Sequence, residues 1–263
     1  MSDATLKHEL LRGPLLKIER AKHHVRDLHE KIDEYLALKS VEFWISQSKK
    51  PPQRTVYTKA EPPIPEVFGL IVGDAVNNMR SALDHICFAM VNGASMGTKD
   101  RRLVGFPFAK DANDLNATIA QRKMDLAPVR VINELHALEP YPAGDKYLNA
   151  IQGLSNGDKH HTIMTAVTGA EMTWLQLQEF LPPDKLPEHA PNTGVRTLGW
   201  FCSRLDPNSD IEIFDKKASS QPTVLLGFGQ GEALENDPLV TALEAMTISA
   251  EAAARRLARA YFA

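Results

Sequence analysis

Ionisable and amide side chains interrupt an otherwise apolar stretch, residues 69–90, with the sequence GLIVGDAVNNMRSALDHICFAM. On a helix that turns about 100° per residue, four of them share an arc roughly 60° wide. We call this arc the polar stripe: Asp74, Asn78, Ser81 and His85. Apolar residues close both ends of the arc and fill the opposite side of the helix. Because buried polar groups are costly unless they bind one another, the pattern predicts an enclosed polar pocket on a helix spanning residues 65–92.

The reactive group that we predict within this stretch is the imidazole of His85, because histidine exchanges protons near neutral pH. Arg80 and Asp84 flank the stripe and complete the catalytic candidates on this helix. Substrate-binding roles are predicted for the remaining stripe residues, Asp74, Asn78 and Ser81. The spacing of Arg80 and Asp84 is also that of an ordinary helix ion pair, which leaves a purely structural role open for both.

A second polar cluster follows at the end of another predicted helix, in the sequence Asp158-Lys159-His160-His161. Packed helices lie about 8–10 Å apart, so a side chain of this cluster could reach His85. A carboxylate beside an imidazole holds it in one tautomer. We therefore add Asp158 and His161 to the catalytic candidates and Lys159 and His160 to the substrate-binding ones.

These histidines and carboxylates also permit a metal site, since three or four such ligands with a water would form a hydrolytic centre. The ligands would come from His85, from His160 or His161, and from Asp74 or Asp158. No pair of them has the spacing that is typical of metal-binding helices. We expect no metal and no cofactor, and keep a metal-dependent hydrolase as an alternative.

Composition limits the classes of function. The chain has 263 residues and a formal net charge of -3, so no overall positive field attracts nucleic acid, although a local basic patch could. The two cysteines show no motif spacing, and no apolar run resembles a signal peptide or a membrane span. No glycine-rich loop follows a strand, which excludes the common nucleotide-binding motifs. We expect a cytoplasmic protein without membrane attachment or nucleotide cofactor.

Apolar periodicity predicts the elements that carry these residues. Heptad-spaced apolar residues over 14–39 predict a long helix that begins at Pro14, and further helices are predicted over 65–160 and 238–262. Alternating residues predict a β-hairpin over 41–60 and a strand block over 162–229. Because strands and helices are grouped rather than alternating, we predict one α+β domain over residues 1–263. About four long helices would pack against a single antiparallel sheet built from the hairpin and the strand block.

The pattern GDxxxNxRSxLDH, formed by residues 73–85, resembles a family of uncharacterised bacterial proteins. The FPF segment at 106–108, the DKHH segment at 158–161 and the last helix fit the same family, so the resemblance covers most of the chain. It implies no activity, because no activity is described for that family.

Arg80 and His85 also resemble, more weakly, the motif of HEPN-type helical-bundle ribonucleases, in which an arginine precedes a histidine by four to six residues. The resemblance implies metal-independent cleavage of RNA at a site often shared across a homodimer. His85 would act as acid and base on a ribose hydroxyl, and Arg80 would stabilise phosphate charge. This sequence has Ser81 after the arginine, where Asn, Asp or His is typical.

The sequence does not settle whether the protein is an enzyme. The HEPN-like ribonuclease is the most specific hypothesis, with RNA and a second copy of the chain as partners. A non-enzymatic helical bundle, which binds a partner or uses a buried polar network to fix its packing, is the alternative.

Overall fold

The heptad repeat near the start of the chain folds as α1, which spans Asp3–Ala37 in this computed structural model. The apolar residues at the heptad positions of α1 are all buried: Leu11, Ile18, Ala21, Val25, Leu28, Ile32 and Tyr35. The predicted helix start is wrong, because Pro14 lies inside α1. A proline costs a helix one backbone N–H and its hydrogen bond, and the burial of heptad residues on both sides of Pro14, Leu11 and Ile18, offsets that loss.

The structure describes residues 3–38, 41–49, 52–60, 62–92, 97–158, 162–163, 165–173, 195–199 and 223–263. Within these ranges the remaining helices are α2 Val67–Val91, α3 Thr98–Arg101, α4 Leu115–Gln121, α5 Val129–Leu138, α6 Lys146–Asp158 and α7 Leu239–Phe262. A 3₁₀ turn spans Met124–Leu126. The strands are β1 Val41–Lys49, β2 Pro52–Ala60, β3 Thr165–Thr173, β4 Val195–Gly199 and β5 Thr223–Phe228.

The helix that carries the polar stripe, α2, forms the centre of a helical core. It packs against α1, α6 and α7, and α7 also packs against α1, α5 and α6. The apolar side of α2 is buried as predicted: Phe68, Val72, Ala75, Met79, Ala82, Leu83, Ile86 and Met90. Helices α1 and α2 run antiparallel, since Tyr35 meets Phe68 at one end, with ring centroids 5.9 Å apart, and Gly13 approaches His85 at the other.

The predicted fold class is wrong, because the chain is mostly helical. Strands β1 and β2 pair only with each other in the described structure, and β3 lies between β4 and β5 in a separate antiparallel sheet. Within the part of the chain that the structure describes, the hairpin and the strand block therefore do not build one sheet. The predicted strands that fall in residues 174–194 and 200–222 lie outside the described residues.

Two glycines let α2 approach the segment around the end of α6. A Cβ added at Gly69 would overlap the backbone carbonyl oxygen of Ile163, and one added at Gly73 would overlap the carboxylate of Asp158. A glycine in a helix interior costs about 0.5–1 kcal/mol relative to alanine. The close approach explains why glycine occupies both positions inside α2 despite this cost.

Cys87 lies on the buried side of α2, with none of its surface exposed. Burial raises the pKa of this thiol well above its ordinary value, and the charge of Asp84 adds to that rise. Because the thiolate is the reactive form, we expect the folded Cys202→Ser variant to react with a thiol reagent at least about 100-fold more slowly than the same variant in guanidinium. Equal rates in the two states would contradict the burial of Cys87.

Candidate functional site

The polar stripe faces solvent. Asp74 and His85 are exposed, while Asn78 and Ser81 are half-buried. The side-chain amide of Asn78 donates a hydrogen bond of 2.8 Å to the backbone oxygen of Asp74, which fixes it along its own helix. The stripe is therefore an open surface, whereas the sequence led us to expect an enclosed polar pocket.

The α1 helix supplies the neighbours of the stripe. A Cβ added at Gly13 would lie 3.9 Å from His85 Nδ1, so the missing side chain leaves that imidazole uncovered on this side. Near the other end of the stripe, desolvation and the charge of Arg20 lower the pKa of His24, and the opposite charge of Asp74 partly offsets them. Lys17 follows Gly13 by one helical turn on the same side of α1. We call this surface the α1–α2 seam: Gly13, Lys17, Arg20 and His24 of α1, beside the polar stripe.

Arg80 is directed away from the seam. Its Nε lies 3.3 Å from Asp84 Oδ2, and its guanidinium carbon lies 4.7 Å from the centroid of the Phe108 ring. The side chain is only 14% exposed. Its Nη1 is buried without a hydrogen-bond partner among the described residues. These contacts confirm the Arg80–Asp84 ion pair that the sequence offered as an alternative.

Asp84 also holds the FPF segment. Its Oδ1 accepts a hydrogen bond of 2.8 Å from the backbone N–H of Phe106, and both Phe106 and Phe108 are buried. We call this arrangement the Arg80–Asp84 clamp. Because the clamp uses Arg80 to dock residues 106–108, Arg80 and His85 serve different sides of α2 and do not form a joint site within one chain.

Asp158 takes part in a separate contact between helices. Its Oδ2 accepts a hydrogen bond of 2.7 Å from the Asn77 side chain, and the Ser155 hydroxyl donates one of 2.9 Å to Asn77 Oδ1. Asn77 precedes His85 by eight residues, a rise of about 12 Å along the helix. The structure therefore brings Asp158 to Asn77 and not to His85.

Asn77 and Ser155 are the polar residues that we had not chosen as site candidates. In the sequence, Gly73 and Asn77 stand one turn apart on α2, and Ser155 and Asp158 stand one turn apart on α6, but this spacing does not show that the two helix faces meet. Lys159, His160 and His161, the rest of the predicted second cluster, lie outside the described residues. Among the residues that are described, no group of three side chains is placed to hold a metal ion.

A concave surface lies between α1 and α7. This cavity of about 340 Å³ is lined by Lys22, Val25, Arg26, Glu244, Thr247 and Ile248. At its edge, Lys22 Nζ lies 2.7 Å from Glu251 Oε2 and 2.9 Å from Glu19 Oε1. Hydrogen bonding to Glu251 raises the pKa of Lys22, and hydrogen bonding to Lys22 lowers that of Glu251. The pair joins α1 to α7.

Within the described ranges, no helix combines the length and hydropathy needed to cross a lipid bilayer. No protein-family description, curated protein or solved structure matches this chain. Any assignment of function therefore rests on the geometry of the seam and the clamp.

Proposed function

We propose that the protein is a cytoplasmic, metal-independent ribonuclease of the HEPN type, and that RNA binds along the α1–α2 seam. The observation that supports this is the open imidazole of His85 on a surface where α1 contributes cationic groups, with Arg20 beside His24. The amide of Asn78 and the hydroxyl of Ser81 lie between them and supply further hydrogen-bonding groups.

The proposed reaction uses the hydroxyl that distinguishes RNA from DNA. His85 in its neutral form accepts the proton of a ribose 2′-hydroxyl, whose oxygen attacks the adjacent phosphorus. The bond from phosphorus to the 5′-oxygen breaks, and that oxygen takes up a proton from water as it leaves. The protonated His85 then returns its proton to water, which restores the neutral imidazole. The products are a 2′,3′-cyclic phosphate and a 5′-hydroxyl, without any oxidation or reduction.

Arg80 does not have the role in this proposal that the HEPN resemblance implied. Its charge is compensated by Asp84 and its guanidinium is largely covered. Within one chain, the cations that lie beside the polar stripe belong to α1, and we assign phosphate binding to Lys17 and Arg20. An arginine fork and a lysine ammonium are both suited to phosphate oxygens.

We expect His85→Ala to reduce cleavage of a single-stranded RNA by at least about 100-fold, because it removes the acid–base group. Cleavage would be followed by gel electrophoresis of end-labelled RNA in the presence of EDTA. The matched control is His29→Ala, since His29 is a surface histidine of α1, 57% exposed, that lies 3.8 Å from Asp33 and outside the seam. Full activity of a folded His85→Ala protein would disprove the role of His85, and activity only without EDTA would favour a metal-dependent hydrolase.

The clamp favours a second candidate, a helical-bundle protein that binds its partner without chemistry. The arginine of the HEPN-like motif has structural contacts of its own, because it pairs with Asp84 and lies over the ring of Phe108. This candidate predicts RNA or protein binding that Arg20→Glu weakens, with no cleavage product at any enzyme concentration. Fluorescence anisotropy with labelled RNA, measured beside the cleavage assay, separates the two functions.

A further inference from the structure

The concave surface between α1 and α7, which we call the α1–α7 groove, has one cation and one anion of opposite helices among its lining residues. Arg26 of α1 and Glu244 of α7 are both exposed. Neither forms an ion pair with another residue that the structure describes. The groove therefore presents a guanidinium from one wall and a carboxylate from the other to a ligand that enters it.

The other two polar residues of the groove already have partners. The ammonium of Lys22 lies 2.9 and 2.7 Å from two carboxylate oxygens. The hydroxyl of Thr247 donates a hydrogen bond of 2.8 Å to the backbone oxygen of Glu244. A charged ligand would therefore bind to Arg26 and to the side chain of Glu244.

The apolar part of the groove consists of one buried and one exposed residue. Val25 is only 4% exposed, whereas Ile248 is 67% exposed. Water therefore contacts most of the Ile248 side chain in the empty groove. Covering it with an apolar group removes that surface from water, which is favourable. The groove thus suits a ligand that has an apolar body as well as charges.

We propose that the α1–α7 groove binds a small zwitterion with an apolar body, such as a free α-amino acid with a large apolar side chain. The fork of Arg26 binds its carboxylate, Glu244 binds its ammonium, and Ile248 contacts its side chain. Packed helices lie about 8–10 Å apart, so groups from both walls can reach one small molecule between them. The volume of about 340 Å³ is within the range of about 300–1,000 Å³ that is usual for small-molecule sites.

The groove is separate from the α1–α2 seam. Arg26 follows His24 of the seam by two residues, a rotation of about 200° on a helix. Lys22 follows Arg20 by the same rotation, so the two surfaces lie on opposite sides of α1. This inference does not depend on the proposed cleavage of RNA. A protein that binds the zwitterion and cleaves no RNA would count against the ribonuclease alone.

Titrations of the full chain with three probes, followed by NMR, test the class of ligand. L-Phenylalanine carries both charges, N-acetyl-L-phenylalanine lacks the ammonium, and L-phenylalanine methyl ester lacks the carboxylate. We expect L-phenylalanine to bind at least about 10-fold more tightly than either of the others, because each of them loses one charged hydrogen bond. No binding of L-phenylalanine, or equal binding of a singly charged probe, would overturn the inference.

Arg26→Gln and Glu244→Gln test the two charged partners. Each should weaken the binding of L-phenylalanine at least about 10-fold, and both proteins should fold because the two side chains are exposed. The matched control is Arg12→Gln, which changes another exposed arginine of α1 about 21 Å before Arg26 along the helix. Its affinity for L-phenylalanine should be unchanged.

An exchange of charges tests whether both residues bind the same molecule. Arg26→Glu alone and Glu244→Arg alone leave the groove with two charges of one sign. The double variant restores one charge of each sign, so the zwitterion can bind in the reverse orientation and more tightly than to either single variant. A double variant that binds no better than the single ones, or an affinity that neither glutamine substitution changes, would overturn the inference.

Discussion

Asp84→Ala is expected to lower the free energy of unfolding by about 3 kcal/mol. The substitution leaves the Arg80 guanidinium, only 14% exposed, without its carboxylate. It also leaves the Phe106 N–H without the acceptor that Asp84 Oδ1 provides. Removing one member of a buried ion pair costs about 3–5 kcal/mol, and we take the lower end because Asp84 itself is partly exposed.

Chemical denaturation measured by circular dichroism would test this value, with two companion variants. Asp84→Asn keeps an oxygen for the Phe106 N–H but removes the charge, so its loss should be intermediate. Asp33→Ala removes a carboxylate that is mostly exposed on α1, and should change stability by less than about 0.5 kcal/mol. If Asp84→Ala is no more harmful than Asp33→Ala, the clamp does not stabilise the fold.

Gly69→Ala should lower the free energy of unfolding by about 2–3 kcal/mol, nearly as much as Asp84→Ala. The added methyl group would overlap the carbonyl oxygen of Ile163, and a backbone atom cannot be relieved by a change of rotamer. Either α2 or the segment after α6 must shift, at the expense of core contacts around Phe68 and Ile163, both of which are buried.

The natural control is Gly13→Ala on α1, where the added methyl group meets only His85 Nδ1, at 3.9 Å, among the described atoms. Alanine favours a helix over glycine by about 1 kcal/mol, so this variant should be more stable than the unmodified protein. Thermal unfolding of both variants would show opposite shifts. Equal stability of the two would mean that α2 does not approach Ile163 as closely as the structure indicates.

The sequence was informative where a local period determines the outcome. The heptad positions of α1 and the apolar side of α2 are buried as predicted, and the shared arc of the polar stripe followed from helical geometry alone. The enclosure of that arc did not follow, because exposure depends on which neighbouring helix covers it. Leu70 and Phe88 were interpreted as walls of a pocket, but both are open to solvent.

Pairings between distant segments were beyond the reach of the sequence. Asn77 meets Asp158 across 81 positions, and Asp84 meets Phe106 across 22. Neither partner has a local pattern that identifies the other. The prediction of a single sheet was wrong for the same reason, because alternating residues predict strands but not which strands pair. The Arg80–Asp84 ion pair was foreseen because its two members lie on one helix.

The contact between α1 and α7 has a consequence for folding during translation. Lys22 and Glu251 are 229 positions apart, so a ribosome completes α1 long before it makes the helix that closes the core beside it. Until α7 is made, α1 can pack against α2, but the apolar surface that α7 later covers remains exposed to water. We expect this intermediate to be a substrate for chaperones and to be the stage at which the protein is most prone to aggregate.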